Sequence, residues 1–448
     1  MGNPPTPSAF PFADARSLNS NVRWSLLGYV VYGVCQWLML VVVARLGRPE
    51  MVGQFALALT ITTPFILLLG LDLRTIQATD QTNRFSMKDL LTLRVLLLVV
   101  AFGAIVASSA WCGYQPETLQ LILVMGIAKC IESISELCHG TMQQHERLEQ
   151  MAKARILRGA VSVAALAVGL AAFQSLVLAT LGLAVAWIGL LVGYDWPIAR
   201  RLLHQAGQSR SLFRSRLQVG ALLLHAIPTG ILACQASLEQ NLLRLCVYGY
   251  LGERELGIYS AVASLVIAPT MMINAAHCAV LPRMARHVAN QQWHLTWRLI
   301  FKSCFYGAAL GGLGALASWA VGGWALGLTF GPDYATHGPL LLVLMFASMI
   351  RFVTRPFAMG LRAARRFWLL TALQGCALAA VVPILIPLVS RHGSIGAAYA
   401  TVALAVLFAA LQIPATFLVL RSRGSAASAR SIGHASRVTA DSELNEAA

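Results

Sequence analysis

Residues 24–55 read WSLLGYVVYGVCQWLMLVVVARLGRPEMVGQF: an uncharged run from Trp24 to Ala44, then a polar turn through Arg45, Arg48, Pro49 and Glu50. About 20 predominantly apolar residues cross a hydrocarbon core roughly 30 Å thick, so this run has the length and character of one crossing. Eleven further runs of the same kind follow, at 52–71, 92–112, 118–140, 156–173, 176–195, 217–236, 256–280, 300–324, 338–360, 367–389 and 396–420. Composition agrees: 57% of the 448 residues are hydrophobic and 12% charged, against about a quarter charged in a soluble domain. The chain is expected to be an all-α integral membrane protein of about 12 transmembrane helices.

Most of the 34 Lys and Arg fall in every second connection and in the two tails. Short cytoplasmic loops keep basic residues and translocated loops lose them, so both termini are expected in the cytoplasm. The same retention, with attraction to anionic headgroups, accounts for the net charge of +16 without a nucleic-acid partner. Residues 1–23 contain no apolar core followed by a cleavage site, so the first run reads as a retained anchor. The nine cysteines are scattered without a CxxC pair or metal-ligand spacing, as expected of small buried side chains. No GxxxxGK[ST], HExxH or GxSxG motif occurs, and no cofactor or metal is expected.

The longest basic connection, 195–216 (DWPIARRLLHQAGQSRSLFRSR), follows the sixth run and divides the chain into a first six-helix bundle (1–215) and a second (216–420). The Ser-, Ala- and Arg-rich residues 421–448 read as a disordered cytoplasmic tail. The halves echo each other. LGRPEMVGQF from Leu46 resembles LGERELGIY from Leu251 with one residue deleted, and Pro64 and Pro269 each lie 18 positions after the leading Leu. Both copies occupy a translocated turn and enter a descending span, so the repeat is parallel, with its axis along the membrane normal.

An ionisable side chain at the centre of a span costs about 2.5–3.5 kcal/mol and normally faces a bundle interior or a wet cavity. The fourth run carries Lys129, Glu132, Glu136 and His139 within an arc of roughly 80°. Two readings stand side by side, a self-neutralising Lys129–Glu132 pair or a cavity lining, and a proton relay through Glu132, Glu136 and His139 is a third. In the tenth run Arg351 and Arg355 lie one turn apart. Forked guanidinium donors suit phosphate oxygens; Arg351 reads as lumenal and Arg355 as snorkelling to the cytoplasmic interface. Arg45 and Arg244, nearest the translocated surface before the two echoed motifs, either bind an anionic headgroup or anchor a helix end.

Three stretches carry a family resemblance: QWLMLVVVARLGRPEMVGQFALAL (36–59), YLGERELGIYSAVASLVIAPTMMINAAHCAVLPRMAR (250–286) and FGPDYATHGPLLLVL (330–344). In order and position they resemble the polysaccharide repeat-unit flippases of the multidrug/oligosaccharidyl-lipid/polysaccharide exporter superfamily. That resemblance implies two six-helix bundles around a central cavity, and transfer of undecaprenyl-pyrophosphate-linked oligosaccharide from the cytoplasmic to the outer leaflet of a bacterial inner membrane. It also implies work beside a polysaccharide polymerase and chain-length machinery for O-antigen, capsule or exopolysaccharide. Lys129, Arg351, Arg45 and Arg244 would host the pyrophosphate. Members of the family often hold an acid near the seventh span, where this chain has Glu239, a candidate for ion coupling. Competing readings are a multidrug cation antiporter of the same superfamily, which calls for acids within the spans of its first bundle, where the first span, Trp24 to Ala44, has none, and a membrane glycosyltransferase or polymerase. The latter needs catalytic carboxylates in a large translocated loop; residues 237–255 offer Glu239, Glu253 and Glu255. A peptidoglycan-precursor flippase usually adds two further spans.

Overall fold

The computed structural model describes residues 18–79, 85–205 and 219–446, and every regular element among them is helical. The first half comprises α1 (Leu18–Leu46), α2 (Pro49–Gly70), the short α3 (Leu73–Thr79), α4 (Met87–Cys112), α5 (Pro116–Gln144), α6 (Leu148–Phe173) and α7 (Leu176–Leu190). A π-helical turn (Leu191–Asp195) joins α7 to α8 (Trp196–Gln205). The second half comprises α9 (Val219–Ser264), α10 (Ile267–Ala289), α11 (Trp293–Phe330), a 3-10 turn (Pro332–His337), α12 (Gly338–Ala363) and α13 (Phe367–Glu446).

Local chemistry sets the boundaries. Proline opens α2 and α5 within their first turns, where its missing N–H costs nothing. Ser86 and Asp89 form a reciprocal capping box on α4, and Gly113 ends that helix in the left-handed region. Two long helices are broken internally by glycines at positive φ, Gly252 (82°) in α9 and Gly393 (63°) in α13. Only glycine takes such geometry without strain, so each helix comprises two limbs.

Eight described stretches are long and apolar enough to cross a bilayer singly, or nine with the bent pair Thr229–Ser264 and Ile267–Asn274. The stretch Phe367–Arg421 holds two crossings about Gly393, α9 and α10 supply two about Gly252, and the 29-residue α5 is long enough for a further one while carrying the polar stripe. The protein is an all-α membrane protein, and its helices account for the twelve spans read from the sequence.

Three boundaries differ from expectation. Residues 237–251, read as a translocated loop, continue the first limb of α9, because Glu239, Gln240 and Arg244 lower the mean hydropathy without interrupting the helix. The connection after the sixth run begins as helix: WPIARRLLHQ is amphipathic, and Ala199, Leu202 and Leu203 are buried. Residues 421–446, read as disordered, prolong α13, as their Ala and Arg content permits. The expected division at 215/216 and the first 17 residues lie outside the described residues.

The echoed segments meet each other. A Cβ on Gly53 would stand 1.8 Å from the carbonyl oxygen of Glu253, and one on Gly257 would stand 2.3 Å from that of Pro49. Contact of corresponding residues across two copies is the mark of a two-fold relation. Around them Met39, Val43, Val52 and Phe55 share one apolar cluster with Leu256, Ile258, Tyr259, Phe330 and Tyr334. Thr118 donates to Glu253 at 2.6 Å, and Arg254 faces Glu50 at 3.7 Å. At the opposite end most clusters belong to one half. Met142, Met151 and Leu202 form one, and Met284, Ile300, Phe357 and Leu420 another. The exception is the start of α9, where Leu222 and Ala226 sit on Leu71, Leu73 and Leu90.

Candidate functional site

Lys129 lies 13 residues after the start of α5, and Arg351 13 residues after the start of α12. At 1.5 Å per residue each stands about 20 Å along its helix. Each faces a carboxylate and an aromatic ring. Lys129 donates to Glu132 at 2.8 Å and sits 5.8 Å from the Trp187 ring centroid on α7. Arg351 pairs with Glu239 of α9 and sits 5.5 Å from the Phe408 ring on the last limb of α13. Trp187 and Phe408 belong to the last crossing of their respective halves. The structure therefore places one intramembrane cation, acid and aromatic at matching levels in each half. All four charged groups are half-buried rather than sealed.

In the first half the stripe on α5 belongs to a larger web. Tyr32 of α1 donates to Glu132 at 2.7 Å. Glu136 accepts from Arg74 of α3 at 2.8 Å and lies 3.8 Å from Arg155 of α6. His139, with 0% of its side chain exposed, lies between Glu136 and Asp195, 3.4 Å from each. Asp195, at the π-helical turn, in turn pairs with Arg158 at 2.8 Å. Arg94 of α4 donates to the Gly70 carbonyl at 2.8 Å and to Ser133 at 3.0 Å. Arg155 also lies 4.1 Å from the Tyr29 ring, and Arg74 donates to the Tyr29 hydroxyl at 3.3 Å. Helices α3, α5, α6 and the π-helical turn are thus tied together by opposite charges, and α1 and α4 are joined to them by hydrogen bonds from Tyr32 and Arg94; in a low-dielectric setting such charge-assisted bonds are strong. The Lys129–Glu132 pair exists, but the neutralisation extends well beyond it.

The second half is sparser. Arg355, expected to snorkel outward, instead reaches Asn274 of α10. Arg244 of α9 has neither a hydrogen bond nor an ion pair among the described residues, and lies near Tyr259, whose hydroxyl is 3.4 Å from Thr401. Gln235 donates to the Thr371 carbonyl at 2.9 Å.

Arg45 is placed elsewhere. Its guanidinium donates to the carbonyls of Gly327, Leu328 and Thr329 at the C-terminal end of α11. Cations suit helix C-termini, whose last carbonyls lack intrahelical partners, so of its two readings the helix-end anchor describes what it does. Beside it Trp37 meets Phe330 edge-on at 6.4 Å.

The sequence reading did not single out Tyr29, Tyr32, Arg74, Arg94, Arg155, Arg158 or Asp195. Arg155 and Arg158 are three apart at the mouth of a span and share a face, and Asp195 is the lone acid ending the sixth run; that spacing was the available signal.

The family model described as "Polysaccharide biosynthesis protein" matches residues 18–288. The chain belongs to this family. The capsular polysaccharide biosynthesis protein CapF of Staphylococcus aureus is 23% identical over 331 residues, covering 73% of this chain and 81% of that one. Among solved structures, the MATE multidrug transporter DinF-BH superimposes with a TM-score of 0.64 at 13% identity, covering 91% of this chain and 96% of that one. A mutant of the Vibrio cholerae MATE transporter VcmN gives 0.58 at 12%, covering 91% and 96%. At such identities the likeness establishes the fold. The family member is a multi-pass membrane protein of polysaccharide synthesis on a multidrug-exporter scaffold.

Proposed function

We propose that this chain is a flippase that carries undecaprenyl-pyrophosphate-linked oligosaccharide from the cytoplasmic to the periplasmic leaflet of a bacterial inner membrane, with both termini in the cytoplasm. The observation that carries this reading is the pair of intramembrane cations, Lys129 and Arg351, at matching levels of the two halves. A pyrophosphate brings about two negative charges into a medium of low dielectric and needs cationic hosts there. Arg351 is the principal host, because its partner Glu239 comes from another helix and is displaced by an incoming phosphate. Arg244 and Arg355, which form no ion pair with a carboxylate among the described residues, extend the same positive surface. Released from Arg351, Glu239 becomes free to take up a coupling cation or proton. Glu132, Glu136 and His139 are held in the web and serve to stiffen the first half.

The halves are joined at the Gly53–Gly257 end, while at the other end the apolar clusters of each half stay apart except where the start of α9 meets α2–α4 and Thr229 donates to the Leu71 carbonyl at 2.9 Å; this partial separation suits loading from the cytoplasm. Rocking about the two-fold axis would then expose the site outward, delivering units to a polymerase and chain-length machinery without catalysis by this chain.

The test replaces Arg351 and Lys129 by Ala separately, in a strain lacking the native copy, and measures surface polysaccharide together with the leaflet position of the lipid-linked unit. Accumulation of that unit in the inner leaflet with Arg351→Ala is expected. Normal polymer from both variants, correctly inserted, would sink the proposal. So would export of organic cations by the reconstituted chain with lipid-linked sugar unmoved.

A further inference from the structure

A second basic feature lies far from the matched cations. Arg147, Gln150, Ile198, Arg201, Leu202 and Gln205 line a cleft of about 230 Å³ between the α5–α6 turn and α8. Its depth in the membrane follows from helix length. The stretch from Leu176 to Gln205 is 30 residues long, whereas about 20 suffice to cross the hydrocarbon. The α8 segment therefore projects to the level of the headgroups on the loop-rich basic side, and the α5–α6 turn lies at the same end.

The lining has the chemistry of a phosphate host. Arg147 and Arg201 come from different elements, and neither has a carboxylate contact among the described residues. The nearest acid on α6, Glu149, is matched by Lys153 at 2.7 Å. Gln150 keeps its Oε1 shielded from solvent with no hydrogen-bond partner. An orphaned buried acceptor is costly, and turning the Gln150 amide into the cleft that it lines would let a hydroxyl-bearing group satisfy it. The floor is apolar and packed: Met142, Met151 and Leu202, with Leu148 and Ile198 against them. Two free guanidinium groups, a vacant acceptor and an apolar floor at headgroup depth match a phosphodiester carrying a hydroxylated head and an acyl chain.

We infer that this cleft binds the headgroup of an anionic phospholipid of the cytoplasmic leaflet, with Arg147 and Arg201 on the phosphate and Gln150 on a headgroup hydroxyl. The site is independent of the transported substrate and fixes α8 to the membrane surface.

Native mass spectrometry of the full chain in detergent, titrated with phosphatidylglycerol or phosphatidylcholine, tests it. Wild type is expected to retain phosphatidylglycerol selectively, and Arg147→Ala/Arg201→Ala to bind it about thirtyfold more weakly, the worth of two basic side chains at an anionic surface. Gln150→Leu, which leaves the charge intact, is expected to reduce the preference for the hydroxylated head. The exposed pair Arg286→Ala/Arg298→Ala removes equal charge from the same end of the molecule and is expected to change nothing. Equal loss in that control would assign retention to general surface charge and overturn the site. Protection against lipid binding by inorganic phosphate at equal concentration would overturn the lipid as occupant, and unchanged affinity in the double variant would overturn the site outright.

Discussion

The two halves share a plan but distribute charge differently. In the first, Glu132, Glu136 and Asp195 sit among Arg74, Lys129, Arg155 and Arg158, with His139 between two of the acids. In the second, Glu239 is the one acid paired with the intramembrane arginines among the described residues, and Arg244 and Arg355 have no carboxylate contact. One fold thus yields a bundle whose three acids cross-tie Arg74, Lys129, Arg155 and Arg158 and a bundle in which a single acid, Glu239, stands among three arginines. Under the function proposed above, the difference leaves stiffness to the first half and anion binding to the second, and it can be broken experimentally from either side.

The largest effect is expected in the web. The Arg158 and Asp195 side chains are 3% and 2% exposed, and removing one partner of a buried pair costs about 3–5 kcal/mol because the other is left uncompensated. Arg158→Met should lower the thermal unfolding midpoint of the detergent-solubilised chain and cut the yield of monodisperse protein. Arg158→Met/Asp195→Leu should recover most of that loss. A double variant as unstable as the single one would show that the web does more than neutralise.

Next in size is the counterpart in the second half. A hydrogen bond to a charged group is worth about 1.5–3 kcal/mol, so Arg351→Ala should weaken binding of a lipid pyrophosphate by about ten- to a hundredfold. Its unfolding midpoint should move less than that of Arg158→Met, because Glu239 is not fully buried. Arg351→Lys should restore part of the binding, since an ammonium keeps the charge but not the fork. Equal destabilisation by the Arg158 and Arg351 variants would erase the proposed division of labour.

How far this contrast could be read from sequence depends on the length of each link. The α5 stripe was legible because its members are three or four apart and share a face. The web was not, because Tyr32 and Glu132 are 100 residues apart, Arg74 and Glu136 are 62, and Arg158 and Asp195 are 37. Near span ends, arginines such as Arg74 and Arg158 look like snorkelling residues; only packing turns them inward. Glu239 was assigned to a loop because Glu239, Gln240, Asn241 and Arg244 interrupt the apolar run. Apolar length locates lipid-facing helix well and lumen-facing helix poorly. The repeat was legible from LGRPEMVG and LGERELG, but that the two copies touch each other was not, because nothing in one strand of sequence specifies what lies across a two-fold axis.

That contact gives the third prediction. Filling Gly53 or Gly257 places atoms against backbone carbonyls, and overpacking of this kind costs about 1–3 kcal/mol. Gly53→Leu and Gly257→Leu should each pry open the joined end, raising labelling of a cysteine introduced at Tyr248 by a membrane-impermeant reagent. The two-fold relation requires similar effects from both. A large response to one and none to the other would mean the echoed motifs are not structural equivalents.

The smallest effect belongs to the rim of the same joint. Arg254 and Glu50 are 62% and 48% exposed at 3.7 Å, and exposed pairs are worth about 0–1 kcal/mol and are screened by salt. Arg254→Ala should therefore barely change stability, and the small change in cysteine labelling it causes should vanish at high ionic strength. Glu50→Arg/Arg254→Glu should behave as wild type, since a swapped pair keeps the attraction. The neighbouring Thr118–Glu253 bond differs: it is shorter, at 2.6 Å, and only part-exposed, so Glu253→Gln should open the joint in a salt-insensitive way. If Arg254→Ala proved the stronger opener, closure at this end would rest on long-range charge rather than on the glycine contact, and the rocking axis would have to be sought elsewhere.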